Sequence, residues 1–215
     1  MRALSSALAA TLLLGSAAVA QSGTPLRWAE GAPNATSEMK NDAKVEGLKT
    51  DDVHIFVSLS DLKDTEDNRV WVQISNHSKA PISVDPQSAI LINEKDKTVR
   101  AEVADKAAGG IQKFGEAKSQ ELSSAHCNAM AATGCQPTNA QMQMSKQVLA
   151  FSAQQAQWVR DNALKSKTLA PGEEEQGIIV FKKDKKKMTY ILKIPVASQT
   201  FEFPVAAENK IPSYD

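Results

Sequence analysis

The hydrophobic period changes twice along this chain, and that limits the fold more than any motif does. Between 53 and 103 apolar residues recur at every second position. Val53, Ile55, Val57 and Leu59 share one face against His54, Phe56, Ser58 and Ser60, and Val70, Val72 and Ile74 alternate with Trp71 and Gln73. From 111 to 167 β-branched residues thin out and Ala, Gln, Ser, Lys and Met take over, a composition that favours helix. Strand chemistry then returns at 178–181, 188–194 and 200–205, the last with Phe201, Phe203 and Val205 on one face. The pattern predicts a β domain at 51–207 interrupted by a helical hairpin at 111–167.

Turn signals divide the β blocks further. Asp85-Pro86 separates short extended pieces at 82–84 and 89–92, and a charged turn at 94–97 leads into a strand at 98–103. Gly109-Gly110 is expected to close the first β block. Pro171-Gly172 makes the turn before the run at 178–181, which is expected to pair with 188–194 across the Lys-rich turn 182–187. Within the insertion, Thr138-x-x-Gln141 has the form of a capping box. Residues 21–50 are polar and aperiodic and read as a flexible leader, with Trp28 its one large aromatic.

Residues 1–20 have the layout of a secretory signal peptide: Arg2, an apolar stretch from Ala7 to Leu14, and Ala18-Val19-Ala20 for cleavage. The apolar stretch is shorter than the roughly 20 residues a spanning helix needs, and no second one occurs. The expectation is a periplasmic or secreted protein without a transmembrane segment. In an oxidising compartment Cys127 and Cys135 are expected to form a disulfide, contributing ~2–3 kcal/mol through the short loop it closes. Formal charge is zero over 215 residues, so no field for nucleic acid is implied.

About seven short strands with turns between them predict an immunoglobulin-like antiparallel β-sandwich, mainly β with an α insertion. The residues at 70–78, Val-Trp-Val-Gln-Ile-Ser-Asn-His-Ser, followed by Pro81-Ile82-Ser83-Val84, resemble a passage of exported bacterial immunoglobulin-like domains. Leu169-Ala170-Pro171-Gly172-Glu173 with 177–181 resembles their late-strand passage. The resemblance covers the two β blocks and implies a fold, with no catalytic residue and no cofactor carried over.

Three functional readings follow. The leading one is a non-enzymatic binding or assembly module whose partner is another protein of the cell envelope. Its surface would be the insertion, where Met144, Val148, Phe151 and Trp158 fall at helical spacing. That stripe is expected to pack on the first helix or the sandwich; left open, it would be a surface for a partner helix. The first alternative is a periplasmic copper-binding protein, because His126, Met130, Met142 and Met144 offer the soft sulfur and imidazole ligands that suit Cu(I). The second is a hydrolase with a site between sandwich and insertion, although no nucleophile elbow, His-Glu-x-x-His helix or P-loop occurs. His54 and His77 read as surface or turn residues.

Overall fold

The computed structural model describes residues 24–40, 43–60, 67–130, 136–182 and 190–205. Strands β1 (Leu26–Arg27), β2 (Ala35–Lys40), β3 (Ala43–Lys49), β4 (Val53–Ser60), β5 (Asp67–Asn76), β6 (Ile82–Val84), β7 (Ile90–Asn93) and β8 (Thr98–Glu102) come first. Helices α1 (Ala104–Met130) and α2 (Asn139–Asn162) follow, and then β9 (Lys167–Leu169), β10 (Glu174–Lys182), β11 (Tyr190–Val196) and β12 (Gln199–Val205). The signal segment and residues 183–187 of the Lys-rich turn lie outside the described residues.

The immunoglobulin-like sandwich is not what forms. The strands join one continuous sheet in the order β1-β12-β11-β7-β8-β10-β5-β4-β3-β2, with β6 and β9 paired beside it, curled into a half-barrel. The reason lies in β8. Its residues Thr98, Val99 and Arg100 pair with β7, and its residues Ala101 and Glu102 pair with β10. One short strand changes neighbours halfway along, so hydrogen bonding passes round the bend where a sandwich would have a gap.

Inside the curl the alternation does what its period predicts. Val53, Ile55 and Val57 of β4, Val70, Val72 and Ile74 of β5, and Phe201, Phe203 and Val205 of β12 are all buried in one core. At ~25 cal/mol for each Å² of apolar surface removed from water, this shared face is the main stabilising term.

Residues 21–50, expected as a leader, contribute three strands. Trp28 is buried and sits where the two ends of the strand order approach each other. Its backbone N–H donates to the Glu202 carbonyl at 2.8 Å, and its indole N–H donates to the Thr36 carbonyl of β2 at 3.1 Å. Among the described residues the expected pairing of β10 with β11 does not form. β10 pairs with β5 and β8, while β11 pairs with β12, β7 and β6.

The run at 178–181 explains the difference. Its four residues are all buried because both faces of β10 are covered. Ile179 and Phe181 enter the core, and Ile178 and Val180 pack against Ala107, Ala108, Ile111, Ala156 and Val159 of the helices. A continuous apolar run is the signature of a strand buried on both faces, which an edge hairpin would not be. Gly177 completes the join. A Cβ there would lie 2.5 Å from the Leu164 nitrogen, which donates to the Ile178 carbonyl at 2.9 Å.

Candidate functional site

The helices form an arm rooted on the outer face of β10. At 1.5 Å per residue, α1 and α2 are about 40 and 36 Å long. Their buried contacts to the sheet involve only residues near the root. Arg160 Nε donates to Asp105 Oδ1 at 3.2 Å, tying the end of α2 to the start of α1. The capping box at Thr138 is formed: its N–H donates to Gln141 Oε1 at 2.8 Å, and the Gln141 N–H donates to Thr138 Oγ1 at 3.3 Å. Gly109 and Gly110 lie inside α1, so they do not end the β block as expected.

Beyond the root the two helices meet through small residues. Ser119 and Ser145 hydroxyls hydrogen-bond each other, Ser123 Oγ donates to the Ser119 carbonyl at 2.9 Å, and a Cβ on Gly115 would overlap Ser152. The buried line on α2 runs through Ser145, Ser152, Ala156 and Val159.

This overturns the expected burial of the apolar stripe. Met144, Phe151 and Trp158 are 53%, 59% and 42% exposed, and Val148 is half-buried. Each exposed residue immediately precedes a buried one at 145, 152 and 159. One residue is about 100° of helix rotation, so the face against α1 is turned away from the large side chains. Close backbone approach favoured Ser and Ala at the contact, and the bulky residues were left outside.

The root end of the stripe opens into a groove of about 570 Å³ between α2 and the outer sheet surface. Trp158 and Trp71 both line it, with Val45, Ser58 and Ile178 from three neighbouring strands. Register explains the convergence, since Val45, Ser58, Trp71 and Ile178 are successive cross-strand partners. Arg69, almost fully buried, holds Trp158 in place. Its guanidinium carbon lies 5.4 Å from the Trp158 ring, its Nη1 donates to Gln155 Oε1 at 2.9 Å, and its Nε donates to Asp67 Oδ2 at 3.0 Å. Sequence reading missed Arg69; Gln155 falls at the helical spacing of the stripe, but its role as the Arg69 acceptor had no signal. The outward position of Trp71 in the alternation was the one available signal.

The copper reading gains no cluster. Met142 and Met144 are two residues apart on α2, about 200° around the helix, and both are exposed. The side chains of His126 and Met130 lie outside the described residues. Among the described residues no three His, Cys, Asp or Glu side chains converge as a metal site. The Cys127–Cys135 disulfide also lies outside the described residues.

His54 and His77, expected as separate surface residues, are stacked with ring centroids 3.8 Å apart. Burial, then the neighbouring His77 and Lys49 charges, hold the His54 pKa below its ordinary 6.5. At the opposite end of the sheet Glu202 is buried and bridges two strands, 2.6 Å from Lys193 Nζ and 2.9 Å from Arg27 Nη2. Burial pushes its carboxyl pKa up, but the hydrogen bonds from Lys193 and Arg27 prevail and leave it below the usual value.

The class these features define is a curled, mostly antiparallel sheet bearing a helical arm with an open apolar stripe. No helix among the described residues is long and apolar enough to cross a membrane. No family model matches the chain, and no curated protein matches its sequence. One solved structure is similar in part, a Bacillus subtilis protein, YcdA, described as a "putative lipoprotein". It is 12% identical, with a TM-score of 0.41, and the match covers 76% of this chain and 39% of that one.

Proposed function

We propose that this protein is an exported, non-enzymatic binding or assembly module that docks an apolar helix of a cell-envelope protein on the α2 stripe. The observation that carries this reading is the exposure of Met144, Phe151 and Trp158 at seven-residue spacing. Seven residues is nearly two helical turns, so the three side chains form the kind of seam that a second helix fills. The flanks fit such a partner as well. From Asn139 to Val159 the helix carries a single charged residue, Lys146, among Gln, Ala and Ser. Charges depleted around large apolar side chains are the compositional mark of an interface centre. Export rests on the arrangement of Arg2, the apolar stretch and Ala18-Val19-Ala20.

The test is site-specific photocrosslinking in the intact cell envelope. A crosslinker at Phe151 should give one discrete protein adduct, lost in a Trp158→Ser background. A crosslinker at Gln120, on the exposed surface of α1, should not give it. The same adduct from both positions, or none from Phe151, would remove the reading.

A further inference from the structure

A second pocket, away from the α2 stripe, lies between the first turns of α1 and the ends of β5, β8 and β10. It encloses about 420 Å³ and is lined by Ala107, Gly109, Gly110, Ile111 and Phe114 of α1, with charged residues at its rim. The two glycines are the unexpected feature. Both sit inside a helix, where glycine is the poorest former after proline. Neither has a positive φ, so no turn requires them. Neither is demanded by packing, because a Cβ at either would meet nothing within 4 Å. Fold stability alone favours alanine at both positions. What the pair does provide is empty space and bare backbone on the pocket wall.

The rim is cationic once its internal pairs are removed. Glu102 is held by Lys106 at 2.9 Å, and Asp67 by Arg69 at 3.0 Å. Lys113 and Lys182 make no ion pair among the described residues, and both are exposed at the pocket edge. Two ammonium groups thus stand beside a wall made of the Phe114 ring, Ala107, Ile111 and unshielded glycine backbone.

We propose that this pocket binds an anionic amphiphile, a carboxylate or phosphate head on an alkyl chain. Lys113 and Lys182 take the head, and the chain lies along Gly109-Gly110 against Phe114. Lysine suits such a head as a compact charge with rotatable donors. The glycines are retained because side chains there would occupy the place of the alkyl chain.

Calorimetric titration of the full mature chain with decanoate, decyl phosphate and decanol, each below its aggregation limit, tests this. At least one anionic probe should bind, and the comparison of decanoate with decyl phosphate identifies the preferred head. Decanol should bind at least about tenfold more weakly, and the double variant Lys113→Gln/Lys182→Gln should lose about tenfold for the anion, as charged hydrogen bonds do when removed. Gly109→Leu and Gly110→Leu should melt at or above the wild-type temperature yet lose binding. If either leucine variant fails to fold, Gly109→Ala/Gly110→Ala replaces it, with a raised melting temperature and weakened binding expected. The proposal is overturned if neither anion binds, if decanol binds as tightly, or if folded glycine variants bind like wild type.

Discussion

Asn76 is fully buried and uses its whole amide. Nδ2 donates to the Ala80 and Leu169 carbonyls, both at 2.9 Å, and Oδ1 accepts from the Ser78 N–H at 2.9 Å and its hydroxyl at 2.7 Å. Asn76→Ala strands these partners and should destabilise by ~1–3 kcal/mol, read as a lower urea midpoint at unchanged slope. A midpoint within error would mean that water replaces the amide. From sequence, Ser75-Asn76 reads as a turn signal and Asn76-His77-Ser78 as a glycosylation pattern. The burial was not legible, because the Leu169 partner is 93 residues away. The His54–His77 stack was hidden for the same reason. Because the folded His54 pKa is depressed, the unfolded chain binds more protons near pH 6.5 and below. Its contribution therefore lowers stability as pH falls from 6.5 towards the folded value, with no further loss below that. His54→Gln should flatten this part of the stability–pH curve. An identical curve would show that the fold does not hold His54 below its ordinary pKa.

The elements were legible where one face meets water and the other the core. β4 and β5 are of this kind, and so is the Thr138 cap, whose partners are three residues apart. Reading failed where contact size mattered more than hydrophobicity. Large apolar residues at helical spacing mark the α2 stripe in the sequence, whereas the contact with α1 is made by Ser145 and Ser152. The run at 178–181 reads as half of a hairpin across the Lys-rich turn, because four apolar residues in a row show no period and a strand covered on both faces has none to show. Gly177 is where that strand meets the chain leaving α2. Gly177→Ala drives a methyl against the Leu164 backbone, which cannot yield as a side-chain tip would. The expected cost is ~1–3 kcal/mol, the range for overpacking, measured by thermal or urea unfolding. A neutral result would mean that this crossing is looser than the structure shows.

At the scale of the whole molecule, the sequence revealed a β domain with a helical insertion but not its closure. Alternation is the same for a sandwich and for a curled sheet. The difference lies in β8 changing neighbours and in Trp28 reaching from the Glu202 carbonyl to Thr36, and neither leaves a mark on hydrophobic period. Once the curl has enclosed the core, the arm has only its root to stand on, and the stripe beyond the root remains open. That openness is the central claim, and hydroxyl-radical footprinting of the mature chain by itself tests it directly. Met144 and Phe151 should be oxidised at rates close to that of Met39, which is 70% exposed, while Trp28, at 8%, stays protected. Met144 and Phe151 protected to the level of Trp28 would contradict the account, because the stripe would then be covered by the protein's own fold.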